Sequence, residues 1–242
     1  MNDESHELRA ASSGLRVGAA SLKTCTMFDE SELKKDAAGL VTVVAQDRLT
    51  GEVRMVAHAN VEALERTIAT GDAHFYSRSR AALWKKGETS GNVMRVHEVW
   101  LDCDADALLY LVDPAGPTCH TGAPSCFVRR LDGDARARAT PLFVRLEEVI
   151  AARRGATAEK SYTRSLLEGG AEKIGRKLRE EADELARAIE SESNERVASE
   201  AADVIFHALV GLMSRDVSLR DVEAELARRF GVSGHDEKAA RG

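Results

Sequence analysis

Residues 131–141 read Leu131-Asp132-Gly133-Asp134-Ala135-Arg136-Ala137-Arg138-Ala139-Thr140-Pro141, and the position of this stretch decides the architecture. It carries charge, alanine, a glycine and a proline but almost no large apolar side chain, so it has little to give to a core and reads as a linker. The two sides of it differ. Before it the apolar runs are short and rich in β-formers; after it they recur at helical spacing. The expected fold is α+β, with a β-rich N-terminal metal-binding domain followed by an all-α helical-bundle domain. The chain divides into an N-terminal tail over residues 1–30, a first domain over 31–130, the linker over 131–141 and a second domain over 142–235.

In the first half, the run LVTVVAQD from Leu40 to Asp47 opens a strand, and Thr50-Gly51 reads as the turn of a hairpin. Asn60 can cap a helix over Val61–Thr70 that Gly71 ends. Further strands are expected at 74–77, 96–100 and 107–112, forming an antiparallel sheet. In the second half, helices are expected over Leu142–Arg154 (ending at Gly155), Tyr162–Leu167, Glu172–Glu190, Glu195–Arg215 and Leu219–Phe230. Ser218 with Asp221 three residues on marks a capped start for the last of them.

The 242 residues are 43% hydrophobic and 31% charged, which excludes disorder. No apolar run approaches the ~20 residues of a membrane span. The first twenty residues lack the apolar core of a signal peptide, so a soluble cytoplasmic protein is expected. A net charge of −6 argues against nucleic acid as a partner, because that binding rests on neutralising phosphates. A phosphorylated small molecule needs only a local basic pocket or a bridging metal and stays compatible.

Metal chemistry is written between Asp102 and Cys126. Asp102-Cys103-Asp104-Ala105-Asp106, Cys119-His120 and Cys126 bring three carboxylates and three thiols into one short stretch. If the first five residues are extended, Asp102, Asp104 and Asp106 project from one face and Cys103 from the other. Carboxylates suit a hard ion such as Mg²⁺ and thiolates suit Zn²⁺. Three thiolates leave tetrahedral zinc one position short, the arrangement of a catalytic ion carrying water; His120 as a fourth ligand would make the site structural instead.

The helical half carries a second set of acids. Ile174, Leu178, Leu185 and Ile189 form a stripe with Glu181 inside it and Glu184 at its margin. The next helix has Val197, Ala201, Val204, Ala208 and Leu212, flanked by Glu200, Asp203 and His207. An acid on a buried stripe costs several kcal/mol unless it is paired or bound to metal. Antiparallel helices would let Glu181, Glu184, Glu200 and Asp203 converge on one Mg²⁺ carrying a polyphosphate.

With these residues in view, two resemblances stand out. Residues 38–128 resemble phosphoribosyl-AMP cyclohydrolase through TGEVRMVAHANVEAL, HFYSRSRAALWKKGETSGN, DCDADALL and CHTGAPSCF, in that order. Residues 143–231 resemble phosphoribosyl-ATP pyrophosphohydrolase through SYTRSLLEGGAEKIGRKLREEADEL and ASEAADVIFHALVGLM. Together they are similar to the bifunctional enzyme family of histidine biosynthesis. The resemblance implies magnesium ligands at Asp102, Asp104 and Asp106, and zinc ligands at Cys103, Cys119 and Cys126. It implies a homodimer in which Cys103 of the partner subunit completes the zinc site, and a catalytic role for His120.

By the same resemblance the helical domain hydrolyses the α–β link of phosphoribosyl-ATP, with Glu181, Glu184, Glu200 and Asp203 as metal ligands and Glu181 or Glu184 acting on water. The N-terminal domain then opens the adenine ring of phosphoribosyl-AMP. Ser77, Arg78, Ser79 and Arg80, with Lys86, Gly87, Glu88, Thr89, Ser90 and Gly91, would hold phosphate and ribose, since arginine forks and glycine-loop amides suit phosphate. His58, Ala59 and Asn92 depart from the family's usual residues, which bears on substrate contacts and not on the metal ligands. Two rival readings are a zinc deaminase, whose H-x-E and P-C-x-x-C spacing is absent, and an all-α nucleotide pyrophosphohydrolase fused to a structural zinc module.

Overall fold

The computed structural model describes residues 29–132, 139–154 and 161–230. The tail expected over 1–30 therefore lies almost wholly outside the described residues, as do linker residues 133–138, the helix stop expected at Gly155, and residues 231–235.

The N-terminal half has strands β1 (Val41–Asp47), β2 (Val53–Ala59), β3 (His74–Ser77), β4 (Ala82–Lys85), β5 (Met94–Leu101) and β6 (Ala107–Pro114), with helix α1 (Val61–Thr70) between β2 and β3. Alternation shapes β1, whose Val41, Val43, Ala45 and Asp47 are buried while the residues between them are half-buried. Gly51, at a φ of 71°, turns the chain into β2 as the hairpin reading requires. Asn60 accepts the Ala63 amide and Gly71 takes the left-handed conformation, so α1 starts and stops on the expected residues.

The antiparallel expectation needs correction. The strand order is β2-β1-β6-β5, and β1 pairs with β6 in parallel, so the sheet is mixed. The chain leaves β1 through its hairpin, passes through α1 and the separate β3–β4 hairpin, turns back along β5, and returns as β6 on the open side of β1. Strand β4 falls where no strand is expected from the sequence. The core of this half gathers Val43, Met55, Leu64, Phe75, Met94, Leu108, Tyr110 and Val112, with the Phe75 ring 5.0 Å from Trp84 and 5.9 Å from Tyr110.

The C-terminal half is helical: α2 (Leu142–Arg154), α3 (Tyr162–Glu168), α4 (Gly170–Ser191), α5 (Asn194–Met213) and α6 (Leu219–Arg229). Ser193 caps α5, and Ser218 with Asp221 forms a full capping box on α6. Ile150, Leu166, Ile174, Leu209 and Val210 make a second, smaller core.

The expected stripes are displaced. On α4 the buried line is Ile174, Glu181 and Ala188, spaced by seven residues, whereas Ile189 is 66% exposed. On α5 Glu200, His207, Leu209 and Val210 are buried, while Val197, Ala201, Val204, Ala208 and Leu212 are only half-buried. The physical reason is that the acids arrive paired. Lys177 and Arg196 compensate the carboxylates that the two helices turn inward, so burial of those acids is not left uncompensated.

Candidate active sites

The first site is the connection between β5 and β6. Asp102–Asp106 is a turn and not the extended segment expected, because the Asp102 carboxylate accepts the amides of Asp106 (3.0 Å) and Ala107 (3.1 Å) and Ala105 sits at a φ of 66°. The turn still does what alternation was expected to do. It brings one carboxylate oxygen of Asp102, Asp104 and Asp106 within 4.8 Å of one another, all on exposed residues. The Ala107 amide holds the Asp102 carboxyl below the usual range, while the charge of Asp104, with smaller help from burial and Asp102, pushes Asp106 up. A carboxyl raised by its neighbours is relieved by a divalent cation, so the donor set fits Mg²⁺. Cys103 is exposed in the same turn.

The second site is the loop from Thr118 to Cys126. Cys119 donates its amide to the Ala123 carbonyl at 2.9 Å, and Gly122, at a φ of 84°, donates to the Cys119 carbonyl at 3.0 Å. The loop folds back so that the Cys119 and Cys126 thiols lie near enough to shift each other's titration. Thr121 Oγ1 donates to Cys119 Sγ at 3.1 Å and lowers that thiol's pKa; Cys126 is an exposed residue whose thiol is partly shielded by its surroundings, and that shielding, followed by the charge of Cys119, raises its pKa. A pair of opposed thiols of this kind fits a thiophilic ion. His120 is exposed, with Nδ1 3.9 Å from Cys119 Sγ. Among the described residues, no group within one chain unites Cys103 with Cys119 and Cys126.

The segment that follows the β3–β4 hairpin approaches this loop at Lys86. Ser77 Oγ accepts both the amide and Nε of Arg80 at 3.3 Å, and Arg78, Ser79 and Arg80 are exposed at the hairpin tip. Lys86 lies close enough to Cys126 for its charge to lower that thiol against the terms that raise it. Gly87 has a φ of 83° and no room for a side chain, since a Cβ there would stand 2.3 Å from the Val93 nitrogen. Glu88, Thr89, Ser90 and Gly91 follow as an exposed turn. Of the departing positions, His58 is half-buried on β2, and Asn92 packs against Gly116 closely enough that a Cβ on Gly116 would meet Asn92 Oδ1 at 2.5 Å.

The third site lies between α4 and α5. Glu181, Glu184 and Glu200 each bring an oxygen within 4.8 Å of the others, and Glu181 and Glu200 are buried. Lys177 bridges Glu180 (2.9 Å) and Glu181 (3.0 Å), which raises its pKa, and Arg196 reaches Glu200 at 2.5 Å. Asp203, one turn beyond Glu200, is exposed and is not part of this group. Its carbonyl accepts from His207 Nδ1 at 2.8 Å, and His207 Nε2 meets the Tyr162 hydroxyl at 2.9 Å.

Sequence reading missed Thr121 and the counter-ion role of Arg196. The second had a signal, since Arg196 stands four residues before Glu200 on one helix.

Two modules with separate acid and thiol centres define a two-domain hydrolase. Residues 55–128 match the family phosphoribosyl-AMP cyclohydrolase, and residues 143–230 match phosphoribosyl-ATP pyrophosphohydrolase. The chain is 42% identical over 226 residues to the histidine biosynthesis bifunctional protein HisIE of Wolinella succinogenes, covering 89% of this chain and 98% of that one. It is 44% identical over 202 residues to the protein of the same name from Aquifex aeolicus (82% and 98% covered) and 45% over 195 residues to that from Pyrococcus furiosus (79% and 91%). The chain belongs to this bifunctional family of histidine biosynthesis. It is a hydrolase with both domains, and phosphoribosyl nucleotides are the substrates those domains imply. Among the described residues, no helix is long and apolar enough to cross a membrane.

Proposed function

We propose that the two reactions run in sequence, from the helical domain to the β-rich one, with the domains bounded at residues 31–130 and 142–235 and joined by 131–141. In the helical domain Glu181, Glu184 and Glu200, with Asp203 one turn away, would hold Mg²⁺, which would bridge them to the triphosphate of phosphoribosyl-ATP. Bound there, the ion would neutralise phosphate charge and orient the leaving pyrophosphate. Glu181 or Glu184 accepts the proton of the water that attacks the α–β link, and Lys177 shifts from its glutamates toward phosphate. The observation that carries this reading is the burial of two carboxylates, Glu181 and Glu200, in one three-acid group. Lys177 and Arg196 each offset one of these carboxylates, and three acids converging on one point form an oxygen donor set suited to a divalent cation.

In the β-rich domain Cys119, Cys126 and Cys103 of the partner subunit would hold Zn²⁺, and Asp102, Asp104 and Asp106 would hold Mg²⁺. Zinc bound there would supply an activated water by lowering its pKa to about 7. Ribosylation at N1 leaves the adenine ring electron-poor, so water adds at C6 and the N1–C6 bond opens. His120 carries the proton between that water and the departing nitrogen. Ser77–Arg80 and Lys86–Gly91 hold phosphate and ribose. The dimer draws support from Trp100, 56% exposed, and Leu101, also exposed, immediately before the Asp102–Cys103 turn. Thiolate ligands need a reducing compartment, which suits the cytoplasm.

The test is to supply phosphoribosyl-ATP with Mg²⁺ and Zn²⁺ and to follow pyrophosphate and ring-opened product separately. Both should appear, pyrophosphate first. Chelation that removes zinc alone should stop only the second, and loss of neither would overturn the assignment.

A further inference from the structure

Asp47, at the end of β1, has no exposed surface, and its carboxylate is met from two domains. Arg54 Nη2 reaches Oδ2 at 2.6 Å from within the β-rich domain. Arg220, the second residue of α6 in the helical domain, donates Nη1 to both oxygens at 2.7 and 2.6 Å and Nη2 to Asp113 Oδ1 at 2.7 Å. Arg54 is itself shared, since its Nη1 lies 3.0 Å from the carboxylate of buried Glu52. Two buried acids of the β-rich domain thus lean on one buried guanidinium of their own, and the helical domain adds a second. Burial works to raise the Asp47 carboxyl, yet the bonds from Arg220 and Arg54 hold it below the ordinary value.

Arg54 does more than neutralise. Its Nη1 donates to the Pro124 carbonyl at 3.1 Å, and its own carbonyl accepts the Cys126 amide at 2.8 Å. Beside it, Ser125 Oγ donates to the Val53 carbonyl at 2.8 Å and accepts the Phe127 amide at 3.1 Å. The three consecutive residues Pro124, Ser125 and Cys126 are therefore anchored on β2, and the side chain that anchors Pro124 is oriented by Asp47. Continuous bonding runs from α6 through Arg220, Asp47 and Arg54 to the loop bearing Cys119 and Cys126.

We infer that Arg220 is a positioning residue by which the helical domain sets the thiol loop of the cyclohydrolase domain. It acts through Asp47 and Arg54 without touching substrate. The inference rests on the reading of Cys119 and Cys126 as metal ligands only for its metal readout. The anchoring of the loop can be measured without any metal.

The experiment uses the full chain and compares Arg220→Ala, Arg220→Lys and Asp113→Asn with wild type. Arg220 is half-buried on a helix surface, so alanine keeps the helix; Asp113→Asn loosens the other arm of Arg220, together with the contacts of Asp113 to Arg48 and His97, while leaving Asp47 intact. In metal-free protein, amide exchange at Cys126 and Phe127 should speed up about tenfold in Arg220→Ala, with Arg220→Lys and Asp113→Asn in between. With zinc, chelator competition should show affinity weakened about tenfold, the lower end for a lost outer partner of a ligand. Ring opening of supplied phosphoribosyl-AMP should fall with it, while pyrophosphate release from phosphoribosyl-ATP stays at the wild-type rate. Unchanged exchange at Cys126 in Arg220→Ala would overturn the inference, as would equal loss of both activities. Faster exchange in a protein whose wild type binds no zinc would uphold the anchoring and overturn the metal assignment instead.

Discussion

The Tyr162 hydroxyl stands 2.9 Å from Nε2 of buried His207, tying α3 to α5. His207 Nδ1 lies 2.8 Å from the Asp203 carbonyl, so the tautomer with its proton on Nδ1 satisfies both contacts and leaves Nε2 as the acceptor. Tyr162→Phe removes the donor to a buried nitrogen and should destabilise the protein by about 1–2 kcal/mol. A urea melt of the helical signal reads this directly, and an unchanged midpoint would show that the hydrogen bond contributes nothing net.

Glu181→Gln keeps the size of the side chain and removes its charge from the centre of the α4–α5 group. Pyrophosphate release should drop by at least about a hundredfold, as expected when a transition-state charge interaction is lost. Ring opening of supplied phosphoribosyl-AMP should persist. Normal Mg²⁺-dependent release by this variant would remove Glu181 from the site.

Cys103 is exposed in its own chain and belongs to no group with Cys119 and Cys126 there. If it serves a neighbouring subunit, Cys103→Ser should lose zinc, ring opening and dimer stability together. After subunit exchange with Cys119→Ser, heterodimers carry one site with both lesions and one intact site, so random mixing should restore about a quarter of wild-type ring opening. Full zinc content in a monomeric wild-type protein would end the shared-site proposal.

Asp47 gives the link between the domains a pH dependence of defined sign. Its folded pKa lies below the unfolded carboxylate value of about 3.9, so its contribution is complete above that value and fades as pH falls through the folded one. Wild type should therefore lose stability more steeply than Arg220→Ala as pH falls below about 4, the unfolded carboxylate value. Parallel urea-midpoint profiles for the two proteins would show that Arg220 does not set this titration.

What the sequence revealed, and what it hid, follows from the range of each interaction. The caps at Asn60 and Ser218 were legible because a cap involves residues within one helical turn. The convergence of Asp102, Asp104 and Asp106 was legible from spacing, although the extended geometry assumed for it was wrong. The turn depends on Asp102 accepting its neighbours' amides, a choice that periodicity does not encode. Hydrophobic pattern puts Glu181 in the buried stripe but sets Glu200 at the margin of α5, because it cannot register that Arg196 compensates the burial of Glu200. The parallel pairing of β1 with β6 and the reach of Arg220 to Asp47 join residues far apart in the chain, and no local pattern announces either.

The parallel β1–β6 pairing has a consequence for synthesis. Thr42 pairs with Ala107 and Asp47 with Val112, so the middle of the sheet does not exist until the chain has been made past Pro114. Until then the β1–β2 hairpin has one open edge, and non-local pairings of this kind are slow to close. The α4–α5 pair, with two residues between its helices, forms from neighbours in sequence and should close far sooner once it emerges. During synthesis the half that comes last off the ribosome can thus finish folding close behind the half that came first, with an unpaired β1 edge as the aggregation-prone species in between.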